Sequence, residues 1–156
     1  MVMAPSLQDF LAMQQIAYDV VGHPHTGSSM ESAAATHVPG DRVAKGVVLE
    51  DERGYVLAVL PSTHHVEVDA LGRCLHRSLR LATEGELVPL FGDCARGAVP
   101  PVGEPYGIVT VVEEALEAQP EVYFEAGDHE HFVRLTQSEF DRLMGAAVRA
   151  HFSRRF

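Results

Sequence analysis

The chain has 156 residues, a formal net charge of −10, 46% hydrophobic and 22% charged residues. That length suits one domain over residues 1–156, able to bury roughly two thirds of its unfolded surface. The acidity excludes a broad phosphate-binding surface, which rests on clustered Lys and Arg, so no DNA partner is expected.

The first predicted element is a helix over Ser6–Ala17, capped by Ser6, with Leu7, Phe10 and Leu11 in its apolar stripe. Tyr18–Gly22 reads as a short strand, broken by His23-Pro24-His25-Thr26-Gly27 because proline cannot continue a ladder. Ser28 with Glu31 has the form of a capping box and opens an alanine-rich helix to about His37. Pro39-Gly40 stops it. Two β-branched runs follow, Val43–Leu49 and Tyr55–Leu60, joined by a polar turn ending in Gly54, which predicts a hairpin. His64–Val68 is a further strand, Asp69 caps a helix to Leu75, and Ser78–Ala82 alternates like a strand. Thr83 with Glu86 makes a second capping box before Leu87–Phe91, and Gly92–Gly103 is loop by composition. Strands are expected at Gly107–Val112, Glu121–Ala126 and His131–Leu135, the last two joined by a turn at Gly127–Glu130, with a final helix capped by Ser138. The order predicts an α+β fold whose mixed, largely antiparallel and partly closed sheet is flanked by helices.

No apolar run approaches the roughly 20 residues a membrane span needs. Met1–Asp9 lacks the basic start and apolar core of a secretion signal, so a cytoplasmic location is expected. Cys74 and Cys94 fit no zinc spacing, and a buried structural Cys94 is favoured over a reactive thiol.

Within the hairpin, Val43, Lys45, Val47 and Leu49 share a face. A lysine among aliphatics must reach an edge or meet an anion, since an unpaired buried ammonium is expensive. A solvated strand-end lysine and a cation at the mouth of an apolar pocket are both open. Gly46, on the opposite face, leaves room for a ligand or a second backbone. Gly97-Ala98-Val99-Pro100-Pro101-Val102-Gly103 is the second stretch of interest. Its prolines stiffen it, and the amides of Ala98 and Val99 are candidates to meet a carbonyl or oxyanion. A rigid connector is the plainer alternative.

The close histidine pairs His23/His25, His64/His65 and His129/His131 lack a zincin pattern or accompanying cysteines, so no metal and no other cofactor is expected. A histidine-based metal hydrolase stays as the minor alternative. Arg149, Arg154 and Arg155 form the one modest basic cluster, which a solvated helix end explains equally well.

Taken together, His23-Pro24 after a strand, Val43-Ala44-Lys45-Gly46-Val47-Val48-Leu49, Gly97-Ala98-Val99-Pro100-Pro101 and Ala126-Gly127-Asp128-His129 occur in one order. This combination resembles the YbaK family, the aminoacyl-tRNA deacylases related to the editing domain inserted in bacterial prolyl-tRNA synthetase. The resemblance implies metal-free, trans-acting hydrolysis of the ester joining a wrong, small amino acid to proline tRNA or a similar tRNA. It assigns Lys45 the holding of the charged 3′ end, and Gly97–Pro101 the lining of the aminoacyl pocket. Gly46, His23, His129 and His131 are the further candidates for substrate contact. The implied partners are the acceptor end of an aminoacyl-tRNA and an aminoacyl-tRNA synthetase. Family members often carry a polar residue after the lysine, where this chain has Gly46. A non-catalytic binding module on the same fold is the alternative function.

Overall fold

The computed structural model describes residues 3–156. Helix α1 (Pro5–Met13) carries proline in its first turn, where the missing N–H is no loss. Ser6 therefore does not cap it; the Ser6 amide instead donates to Asp93 Oδ2 at 2.7 Å. The stripe Leu7, Phe10 and Leu11 is buried, but the helix ends at Met13, short of Ala17, because Gln15 turns left-handed. Strand β1 (Asp19–Gly22) leads to α2 (Ser29–Thr36), whose cap Ser28 accepts the Glu31 amide.

The hairpin is β2 (Ala44–Asp51) and β3 (Gly54–Pro61), with Lys45 opposite Leu60 and Gly46 opposite Val59. Next come β4 (His64–Val66), α3 (Val68–Leu75), β5 (Arg80–Leu81) and α4 (Glu84–Leu90). The last third holds β6 (Val109–Glu113), β7 (Glu121–Glu125), β8 (His131–Thr136) and α5 (Gln137–Leu143). Thr136, not Ser138, caps α5 by accepting the Glu139 amide. Two short strands, β9 (Val148–Ala150) and β10 (Ser153–Arg155), were not expected. They lack the length and alternation that make a strand visible in sequence.

The main sheet runs β5-β2-β3-β6-β9, beside a three-stranded sheet β1-β8-β7 and a two-stranded ribbon β10-β4. Among the named strand pairs, β3–β6 and β6–β9 are parallel and the others antiparallel. The mixed, largely antiparallel α+β character is as expected, with three open sheets in place of one partly closed sheet. Alternation splits the hairpin between two cores. Ala44, Val48, Leu57 and Val59 pack with Leu7, Leu11, Phe124 and Phe140, while Leu49, Val56, Ala58 and Leu60 pack with Leu71, Val111 and Phe152. Among the described residues no helix is long and apolar enough to cross a membrane.

Candidate functional site

The Gly97–Gly103 loop is stiff and mostly buried: Ala98, Pro100 and Pro101 are covered, and Gly97 holds φ +81°, a conformation side chains disfavour. The loop closes directly on β2. A Cβ built at Gly46 would lie 3.4 Å from Pro101 Cα and 2.9 Å from Leu57 Cδ1, so the missing side chain is what lets the two segments meet. The Ala98 amide is not free for an oxyanion, because it donates to the Ala95 carbonyl at 3.0 Å. On the loop's outer side, a cleft of about 290 Å³ is lined by Leu87, Phe91, Cys94, Gly97 and Val99.

His129 leans on the same loop. Its Cε1 is 3.5 Å from where a Gly97 Cβ would stand, and its Nε2–H donates to the Arg96 carbonyl. His25, absent from the expected set, packs against His129 with ring centroids 5.1 Å apart and planes tilted by 52°. Nothing in the spacing of His25 and His129 along the chain foreshadows that pairing. Gly46, Gly97–Pro101, His129 and His25 thus form one constellation.

It sits at a gap in the sheet edge. Strand β5 pairs with β2 only at Leu49 and Glu50, and on the other side Val43 makes a lone bridge to Tyr123. The Val48 carbonyl accepts from the Ala82 amide, away from β3. By the two-residue period, the Gly46 amide and carbonyl also face that gap.

His23 and His131 lie differently. His23 is 8% exposed, its Nδ1 donates to the Pro24 carbonyl at 2.7 Å, and its Nε2 is 3.2 Å from Glu125 Oε2. Glu125 Oε1 also accepts the Ser32 hydroxyl at 2.8 Å, so Glu125 ties both α2 and the His23 turn to β7. His131 Nδ1 is 2.6 Å from Asp128 Oδ2. Burial pushes the Asp128 carboxyl up, but the amides of Glu130 and His131 and the His131 ring outweigh it and hold it below the usual range. Among the described residues no group of three or more His, Cys, Asp or Glu side chains is placed to hold a metal ion.

Lys45 is the only lysine in the chain. Its side chain leaves β2 on the face opposite Gly46, so alternation along the strand sets the ammonium and the double-proline loop on different faces. The Lys45 ammonium is half-buried and stands 4.9 Å from the centroid of the Phe156 ring. Burial lowers its pKa from the ordinary lysine value. Cys94 is partly covered, its thiol pushed up to about 11, chiefly by burial, against a lowering by the Tyr106 hydroxyl, with the nearby Asp93 carboxylate adding to the rise.

Residues 23–143 match the family profile of the aminoacyl-tRNA editing domain. The crystal structure of a candidate trans-editing enzyme for prolyl-tRNA synthetase superposes with a TM-score of 0.84 at 28% identity, covering 97% of this chain and 96% of that one. The hypothetical protein APE2540 shares the fold, with a TM-score of 0.84 at 24% identity over 96% of this chain and 99% of that one. No curated protein matches the chain. The profile match takes in the lysine strand, the glycine–proline loop and the His129 turn, and the chain belongs to the aminoacyl-tRNA editing domain family.

Proposed function

We propose that the chain acts in trans in the cytoplasm, hydrolysing the ester of mischarged tRNA and releasing a small amino acid from proline tRNA or a similar tRNA. The observation that carries this is the closure of Pro101 on Gly46, one residue from the sole lysine, inside the family match. An aminoacyl ester is already activated, so a protein need only orient water, stabilise the developing oxyanion and exclude wrong substrates, without a metal. The amino-acid side chain lies against the Gly97–Pro101 loop and His129. The amides of Gly46 and Val99 are the donors for the oxyanion. Lys45 clamps the charged 3′ end from the other face of β2, across the gap in the sheet edge.

A stiff wall of this kind rejects large side chains by shape. It separates similar small ones poorly, because one methylene is worth only about 1–3 kcal/mol. The net charge of −10 confines tRNA contact to the acceptor end, with a synthetase as the partner that supplies further affinity. The test is release of alanine, serine, cysteine, threonine and 2-aminobutyrate from proline, cysteine and alanine tRNAs. Activity on a small residue, lost in Lys45→Ala, supports the reading; a Lys45→Ala variant as fast as wild type removes the clamp. The crowding of Gly46 by Pro101 favours a second reading, a non-catalytic binding module, which inactivity across the whole panel together with tight binding of another ligand would select.

A further inference from the structure

Resting on that reading, we propose that the β4–β10 ribbon is the landing site for the unpaired 3′ end of the tRNA. The rings of Phe156 and His65 take a base beside Arg154 on one face of the ribbon, and Lys45 and Arg155 meet phosphates. His64, on the face of Arg155, accepts a hydrogen bond from a ribose hydroxyl or a base amino group where the strand crosses to that face.

Phe156 is 73% exposed. The His65 ring lies 5.6 Å from it at 37°, and the Lys45 ammonium is 4.9 Å from its centroid. Aromatic faces flanked by cations are what single-stranded nucleic acids stack on, because every base has a π-face and every linkage a charge. Charge is distributed to match. On a strongly acidic protein, Lys45 stands beside the Phe156 ring, Arg154 shares the face of His65 and Phe156, and Arg155 shares the face of His64. Arg154 pairs with Glu67 at 3.0 Å and Arg155 with Asp41, while Lys45 makes no ion pair among the described residues.

His64 contributes directionality. Glu113 is fully buried, and its Oε1 accepts the amides of Phe152 and Ser153, each at 2.9 Å, and the Ser153 hydroxyl at 2.8 Å. The single hydroxyl proton of Ser153 is thereby committed. Toward His64 Nδ1, 2.8 Å away, Ser153 Oγ can only accept, so Nδ1 carries the hydrogen. In the neutral ring Nε2 is then an acceptor with a fixed direction. Burial lowers the His64 pKa, with Arg155 and Lys45 acting the same way against Glu113 and Asp41. A neutral acceptor set among cations suits a hydroxyl or amino donor on a molecule whose phosphates the cations hold. An acidic protein segment would use the cations and leave this acceptor and the two rings idle.

Because Lys45 is the only lysine, its amine reports the position of an RNA end without ambiguity. The probe is a short single-stranded RNA of acceptor-end sequence whose terminal ribose is oxidised by periodate to a dialdehyde, fixed to amines by cyanoborohydride. The expected result is an adduct on Lys45, absent in Lys45→Arg and reduced at least fivefold in the double variant His65→Ala/Phe156→Ala. Unoxidised RNA should bind that variant about tenfold more weakly, and His64→Gln should also weaken binding. Phe156 is exposed and His65 partly so, which keeps these substitutions clear of the core. Labelling confined to the terminal amine, equal labelling of Lys45 in the double variant, or binding of an acidic peptide in place of RNA overturns the landing site. An adduct on Lys45 without deacylation refutes the hydrolytic reading alone. Deacylation with neither a Lys45 adduct nor any effect of the double variant refutes the landing site alone.

Discussion

Replacing Glu113 tests whether the last strand is held by one buried carboxylate. Glu113→Ala strands the amides of Phe152 and Ser153 and the Ser153 hydroxyl, all of which meet Oε1; the Ala115 amide, at 2.9 Å from Oε2, is less covered. A buried donor left without an acceptor costs about 1–3 kcal/mol, so two stranded amides plus partial relaxation give a loss of about 3–5 kcal/mol. Against a total stability of about 5–15 kcal/mol that is a large share. At this chain length it lowers Tm by roughly 6–20 °C. Glu113→Gln keeps one carbonyl oxygen but aims an amino group at the Ala115 amide, and should fall between. The pH dependence has a definite sign. Burial alone raises the Glu113 pKa, but the bonds from Ala115, Phe152 and Ser153 prevail, and the carboxyl titrates below its ordinary 4.5. Its contribution is complete above pH 4.5 and is lost as pH falls through the lower folded value. Urea unfolding at pH 7 and along an acid series measures both effects. A Glu113→Ala loss under about 1 kcal/mol, or an acid-side slope unchanged in Glu113→Gln, refutes the account.

Asp51 is held down to about 2, first by the Arg77 guanidinium, whose Nε donates to its Oδ2 at 2.8 Å. Acid titration of stability should show this contribution intact above pH 3.8 and lost toward pH 2, with Asp51→Asn flattening that part of the curve. Cys94, pushed up to about 11, should react with iodoacetamide at pH 7 on the order of 100-fold more slowly than exposed Cys74, as read by peptide mass spectrometry. Gly46→Ala sets a Cβ against Leu57 and Pro101; it should cost about 1–2 kcal/mol in urea unfolding and change the relative kcat/KM among small aminoacyl groups.

The hairpin was readable because its β-branched runs and polar turn agree with each other, and its pairing extends only one or two residues beyond the expected ends. Helix α2 was readable through Ser28, whose side chain caps it as its type and spacing indicate. Helix α1 was misjudged at both ends, since Pro5 supplies a start without a side-chain cap and the left-handed Gln15 stops the helix without a glycine. Strands β9 and β10 were invisible. Their pairing depends on long-range partners, Val111 to Glu113 for β9 and His64 to Val66 for β10, rather than on local pattern. At the site, the approach of the glycine–proline loop to Gly46 matches the room that a missing side chain provides. The face taken by Lys45 also follows from alternation, yet the loop's choice of the other face is a tertiary fact with no local signature. His25 was passed over for the same reason, since only the folded turn brings it to His129.

Strand β10 joins β4 with Arg155 opposite His64, so residues far apart in synthesis complete a single surface. A chain still being translated can carry the whole hairpin, its lysine included, while that surface does not yet exist. Whatever the lysine face binds, a nascent molecule lacks the means to bind it fully until Ser153 has cleared the ribosome and seated on Glu113. Competence on that side of the protein therefore waits on the seating of β10 against β4.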